Sequence, residues 1–280
     1  MAEIIGGFLV PHDPIMFTAP NAPEEKQAKR IWDAYESCAE RLAQSNASVV
    51  IIVGNDHYML FGTACLPKYC IATGHVEGPL DQLPGLPKEQ VDNHEELASF
   101  IASYGSENNF DWTVARSFTV DHAFAIPYQL IVRRAEQISG RKIRAIPVYL
   151  ASAVDPYITK RRAYELGKQI ASAVKAFRNR DEVFVIGSGG ISHWVGTKEM
   201  GRVNEDFDRD IIELCCKGNF EELIAYTDQE ILQQGGNGAM EIRNFICAIG
   251  AVGSSEGELI EYQPIKEWIT GLAFVELKKI

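Results

Sequence analysis

Histidine is scarce in this 280-residue chain, six in all, and three of the six lie just beyond short apolar runs. His12 follows the run 4–10, in Val10-Pro11-His12-Asp13-Pro14. His57 follows the run 49–53, in Gly54-Asn55-Asp56-His57. His193 closes Gly187-Ser188-Gly189-Gly190-Ile191-Ser192-His193, beyond the run 183–186. In a parallel sheet the loops at the carboxyl ends of the strands converge on one crevice, so imidazoles far apart in sequence can meet there. Imidazole is a ligand for iron, zinc and copper. Any one of these histidines alone reads as an ordinary hydrogen-bonded or surface side chain. Their repeated placement at strand ends is what points to a metal site.

Glu241 supplies the matching carboxylate. Its surroundings, from Gly238-Ala239-Met240 to Phe245-Ile246-Cys247-Ala248-Ile249, are apolar on most sides, which predicts a buried helix. A buried carboxylate needs a cation or several donors to offset its desolvation. A metal ion is one such partner and Arg243 is the other candidate. Two histidines and one carboxylate form the facial triad of non-haem Fe(II) enzymes, with positions left open for substrate and O2. Zinc hydrolases use the same ligand types.

The remaining histidines and the glycine loop say less. His122, in Val120-Asp121-His122-Ala123, starts a helix, and Asp121 either orders the loop or caps that helix. His75 carries no signal, and His94 sits in the acidic stretch Asp92-Asn93-His94-Glu95-Glu96, where it is expected to be solvated. The loop Gly187-Ser188-Gly189-Gly190 lacks the GxGxxG spacing, a P-loop lysine and a ribose-binding acid, which argues against a nucleotide site.

These residues need a scaffold that brings them to one edge. The runs 4–10, 49–53, 143–149 and 183–186 are rich in β-branched residues and too short for helices, so they read as buried strands. Residues 24–44 place Ile31, Tyr35, Cys38 and Leu42 on one stripe, and residues 159–177 and 202–216 show similar amphipathic spacing. Strands alternating with helices predict an α/β fold: a mostly parallel central sheet with helices on both faces, in a single domain over residues 1–280. Residues 68–93, with Pro79, Pro84, Pro87 and several glycines, read as a long surface excursion.

A formal net charge of −11 disfavours nucleic-acid phosphate and anionic lipid as partners. No run of about 18 apolar residues predicts a membrane span. The start Met1-Ala2-Glu3 lacks a signal-peptide pattern, so the cytoplasm is the expected address. The six cysteines show neither CxxC pairs nor zinc spacing and read as buried thiols in a reducing compartment.

Taken in order along the chain, these motifs resemble the class III extradiol dioxygenases, in particular the catalytic β subunits of the protocatechuate 4,5-dioxygenase type. His12 after the first strand, Asn55-Asp56-His57, Asp121-His122, Gly187-Ser188-Gly189-Gly190-Ile191-Ser192-His193, Glu241 and the closing Thr270-Gly271-Leu272-Ala273-Phe274 match motifs of that family over essentially the whole chain. The resemblance implies His12, His57 and Glu241 as Fe(II) ligands, His193 as catalytic base and His122 as a second catalytic group beside the substrate. It implies Asn55, Asp56 and Thr270 as substrate-binding residues. The implied reaction opens a catechol-type or 2-aminophenol-type ring with O2 in aromatic catabolism. The implied partners are a small aromatic diol, O2, other subunits in a homo- or hetero-oligomer, and a small lid subunit whose place the excursion 68–93 can take. A zinc hydrolase on the same ligands and a non-catalytic binding module of the same fold are the alternatives.

Overall fold

The structure, a computed structural model, describes residues 1–218, 220–253 and 255–280. Among these residues nine strands form one sheet: β1 (Glu3–Val10), β2 (Val49–Gly54), β3 (Tyr69–Gly78), β4 (Glu89–Val91), β5 (Thr113–Thr119), β6 (Arg144–Leu150), β7 (Glu182–Ser188), β8 (Ser255–Ile265) and β9 (Thr270–Lys279). The order across the sheet is β4-β3-β6-β2-β7-β1-β9-β8, with β5 paired to β3. The centre, β6-β2-β7-β1, is parallel throughout. β3 joins β6, and β9 joins β1, in antiparallel fashion. The fold is therefore α/β with a parallel centre and antiparallel margins.

Alternate residues of the central strands enter two separate cores. Leu9, Ile51, Val53, Val183 and Val185 pack with Leu166 and Ile170 of the helix Lys160–Ala176 and with Ile246 and Ile249 of the helix Ile242–Val252. Phe8, Val10, Val50, Ile52, Phe184 and Ile186 pack with Ile31, Tyr35, Cys38 and Leu42 of the helix Glu25–Gln44. Burial on both faces is why these strands are continuous apolar runs rather than alternating ones. The helices Lys160–Ala176 and Ile242–Val252 approach closely, because a Cβ on Gly167 would lie 2.0 Å from Cys247 O.

Two expectations fail, and the bounds of a third are trimmed. Half of 68–93 is regular strand rather than irregular excursion. It contributes β3 and β4, and the Gly and Pro residues there mark the turn between them. The β-branched and aromatic content of β3 outweighs the punctuation, and pairing to both β6 and β5 ties it into the sheet. The helix expected over 202–216 is present as Glu205–Cys216, its start set by the Asn204 side chain accepting from Phe207 N at 3.4 Å. His94 is fully buried rather than solvated. Its Nδ1 accepts from Leu97 N, capping the helix Glu95–Glu107, and its Nε2 faces Asp181 at 3.2 Å. Of the cysteines, Cys38, Cys70, Cys215 and Cys247 are buried, whereas Cys65 is exposed. No helix among the described residues is long and apolar enough to cross a membrane.

Candidate metal centre

The parallel centre delivers its loops to one edge, as its topology requires. His12 stands two residues beyond β1 and His57 three beyond β2. Glu241 ends the 3-10 turn Gly238–Glu241 that leads into the buried helix Ile242–Val252. There the Glu241 carboxylate, 1% exposed, faces His12 Nε2 at 3.4 Å through Oε2 and His57 Nε2 at 3.2 Å through Oε1. Gly190 N donates to Oε2 at 2.8 Å and Asn55 Nδ2 to Oε1 at 3.1 Å. The glycine-rich loop after β7 thus cradles a carboxylate of its own chain. Arg243, the alternative partner, turns away from Glu241. It is fully buried and donates to Ile158 O, Met240 O and Asp228 Oδ1 at 2.7, 3.0 and 2.6 Å.

The far nitrogen of each ring is held from behind. Ser188 donates its hydroxyl proton to Ala123 O at 2.6 Å, so at 2.9 Å from His12 Nδ1 its oxygen is the acceptor. Asp121 Oδ2 accepts from His57 Nδ1 at 2.8 Å. A proton on Nδ1 leaves the Nε2 lone pair of the neutral ring facing the centre. A neutral ring in this form would turn its Nε2 lone pair toward the buried Glu241 carboxylate, 3.4 Å away for His12, an arrangement that a cation satisfies. Burial opposes charge on His57, yet Asp121 and Glu241 together hold its pKa well above the usual histidine value. Burial would raise Glu241, but His12, His57 and His193 hold it well below the usual carboxylate range. Both shifts express one demand for positive charge at this point.

His122 and His193 complete the enclosure. The His122 ring stacks on His57, with centroids 4.2 Å apart and planes 19° from parallel. Ring nitrogens of His12, His57 and His122 all lie within 4.8 Å of one another, a spacing compatible with one metal ion. His193 Nε2 is 3.9 Å from Glu241 Oε2, and its Nδ1 donates to Ile191 O at 3.1 Å. Burial pushes the pKa of His193 down, against the pull of Glu241. Two glycines shape its seat. A Cβ on Gly238 would lie 2.0 Å from His193 Nε2, and one on Gly190 would lie 2.5 Å from its Cε1.

These side chains open on a cavity of about 340 Å³, walled also by Asp13, Ile15, Val195, Met200, Ile269 and Thr270. Thr270 bridges to His193 through the backbone. Asp13 Oδ1 accepts from Ile15 N at 2.9 Å, and burial pushes its carboxyl up to about 7. Asn55 and Asp56, expected beside the substrate, are not on this wall. Asn55 donates to Glu241, and the Asp56 oxygens accept from Leu60 N and Phe61 N, closing the turn after β2. The Asp56 side chain bonds nearby backbone, as short polar side chains in turns do, while Asn55 is engaged by the side chains of Glu241 and Asn244.

Residues 6–273 match the family described as the catalytic LigB subunit of aromatic ring-opening dioxygenase. The chain belongs to that family. It is similar to the 2,3-dihydroxyphenylpropionate/2,3-dihydroxicinnamic acid 1,2-dioxygenase of Photorhabdus laumondii, 25% identical with 96% of each chain covered. The enzyme of the same name from Rhodococcus rhodochrous is 24% identical, with 94% of each covered. A crystal structure of an uncharacterized protein from Escherichia coli K12 superposes with a TM-score of 0.58 at 14% identity, covering 97% of this chain and 99% of that one, and shows the fold alone.

Sequence reasoning had missed several residues that shape the site of this LigB-family chain. Asp121 does both jobs between which the sequence left a choice. Its Oδ1 accepts from Ala123 N at 2.9 Å while its Oδ2 holds His57. Asn244, one helical turn beyond Glu241, donates to Asn55 Oδ1 at 2.9 Å and to Ser188 O at 2.7 Å. The i, i+3 spacing from Glu241 was the signal available for Asn244. Asp81 carries no signal at all and arrives from the turn after β3, where it accepts from His122 Nδ1.

Proposed function

We propose that this chain is a non-haem Fe(II) extradiol dioxygenase acting on a catechol-type or 2-aminophenol-type ring with O2. Residues 1–280 form one catalytic unit in this reading, and His12, His57 and Glu241 hold the metal. The observation that supports it most directly is two imidazole Nε2 atoms at 3.4 and 3.2 Å from one buried carboxylate, each ring fixed by an acceptor at Nδ1. Family membership supports the ring-opening chemistry.

Bound iron(II) would acidify the substrate hydroxyls and exchange electrons between ring and O2, which zinc does not do. The chain's own residues handle protons and orientation. A free phenol has a pKa near ~10, so a base is needed at neutral pH. His193 is kept neutral by burial and anchored at Ile191 O, so Nε2 is free to take a proton from a substrate hydroxyl and return it later. His122, across the cavity, accepts a hydrogen bond from the substrate. Thr270 lies beside His193 on the wall and contacts the ring, while Asn55 and Asp56 act from behind that wall. Exposed Val195 and Met200 at the cavity suit coverage by a small lid subunit. The setting is cytoplasmic aromatic catabolism.

Protein purified without oxygen should carry or accept one iron per chain. The iron form should consume O2 and give a yellow ring-fission product with members of a catechol and 2-aminophenol panel, tested with and without a candidate small subunit. Iron-loaded protein that takes up no oxygen across the panel, or that prefers zinc and hydrolyses instead, overturns the reading.

A further inference from the structure

We propose that Asp81 is a positioning residue for His122, setting which ring nitrogen the cavity meets. The proposal deepens the reading of His122 as the group that faces the substrate. Asp81 Oδ2 is in hydrogen-bond contact with His122 Nδ1. An ionised carboxylate only accepts, so the neutral ring carries its proton on Nδ1 and turns a bare Nε2 inward. His122 in this form accepts from a substrate hydroxyl. The opposite tautomer would present an N–H, which donates to the substrate oxygen instead of accepting its proton.

Three further observations show that this contact is built. The ring plane is already fixed by stacking on His57, so one hydrogen bond at Nδ1 is enough to set the remaining choice. The turn that carries Asp81 is tied to the strand leading into His122, for Leu80 N donates to Val120 O at 2.8 Å and Val120 N to Glu77 O at 2.9 Å. The chains approach so closely that a Cβ on Gly78 would lie 2.5 Å from a Val120 methyl. Asp81 Oδ1 is buried with no hydrogen-bond partner, so the contact with His122 is the hydrogen bond that holds this carboxyl group among the described contacts. Nothing else from the turn between β3 and β4 reaches the three histidines among the described contacts, so Asp81 alone couples that turn to the chemistry.

The test uses Asp81→Ala and Asp81→Asn in the full chain, with ¹⁵N-histidine labelling. In metal-free wild-type protein, the ¹⁵N shifts of His122 should report Nδ1–H. In Asp81→Ala the signal should move to the Nε2–H form or a mixture. The iron forms of both variants should bind metal within about twofold of wild type, because Asp81 touches no proposed ligand. With a catechol that wild type cleaves, kcat should fall by about tenfold or more in Asp81→Ala while KM changes far less. Asp81→Asn keeps the shape and should retain wild-type thermal stability but not full kcat. An unchanged tautomer in both variants overturns the proposal, as does unchanged kcat in both. If wild type cleaves no ring, the dioxygenase reading fails, while the tautomer measurement still decides the role of Asp81.

Discussion

Asp121 Oδ2 lies 2.8 Å from the backbone nitrogen of His57 and 2.8 Å from its ring Nδ1, so one oxygen fixes both the loop and the ring it carries. Burial alone would raise the Asp121 pKa, but His57 and His122 bring it down to about 2, and the group is a carboxylate at any working pH. Carboxylates placed in this way behind a ligating imidazole raise its basicity and orient it.

Asp121→Asn should therefore weaken metal binding without unfolding the chain. Asparagine can still cap Ala123 N, but it cannot accept from both His57 donors with one charged oxygen. Titration of metal-free protein with Fe(II) or Co(II) should show affinity lower by about 10- to 100-fold. Wild-type affinity in the variant would remove Asp121 from the account.

Glu241→Ala should abolish tight iron binding, because no other carboxylate faces both His12 Nε2 and His57 Nε2 among the described contacts. Metal content after anaerobic loading measures this. Normal iron content together with turnover would show that the ligand assignment is wrong.

His193→Ala should keep its iron and lose turnover by about 10²- to 10⁴-fold, the usual worth of a general acid–base group. Gly238→Ala should do similar damage by a different route, since its Cβ would lie 2.0 Å from His193 Nε2. Metal analysis beside steady-state kinetics separates both from ligand loss. A fully active Gly238→Ala would mean that the seat of His193 is looser than the structure shows.

Asp208 gives a pH dependence remote from the proposed ligands. It is fully buried, accepting from Ser192 N at 2.8 Å and Tyr262 Oη at 2.7 Å. Burial outweighs both bonds and lifts its pKa from 3.8 to about 6. Between those values the folded state binds more protons than the unfolded state, so this group's contribution to stability falls as pH rises from about 4 to about 6. The shift corresponds to roughly 3 kcal/mol. Denaturant melts of Asp208→Asn should show that decline flattened relative to wild type. Parallel curves for the two proteins would rule out this origin.

Gly167→Ala reverses the usual helix rule. Alanine for glycine in an exposed helix interior gains about 1 kcal/mol. Here the new Cβ would meet Cys247 O at 2.0 Å and Ala251 N at 2.7 Å, forcing two buried helices apart. The expected result is a loss of about 1–3 kcal/mol. A higher Tm in the variant would contradict the packing described.

The four central strands and the three long amphipathic helices were legible because burial writes itself into local sequence. Val49–Gly54 and Glu182–Ser188 are apolar on both faces, and Glu25–Gln44 keeps one stripe. β3, β5 and β8 were not legible. Their residues are mixed, and pairing with neighbours distant in sequence, not local pattern, makes them strands. His94 misled for a related reason: its acidic neighbours face solvent while its own ring turns inward to Asp181.

At the site, residue types at the strand ends were enough to nominate His12, His57 and His193, since a parallel sheet sends those ends to one place whatever the details of packing, and the apolar segment around Glu241 nominated it as a buried carboxylate. Sequence alone could not choose between Arg243 and a metal as the partner of Glu241, because both lie within reach of a helix start. The tertiary structure removes Arg243 as that partner by committing it to Asp228 and the backbone. It alone showed that Ser188, Asp121 and Asp81 lie against one ring nitrogen each of His12, His57 and His122. Those placements depend on hydrogen bonds spanning 176, 64 and 41 residues, and contacts of that range leave no trace in local spacing.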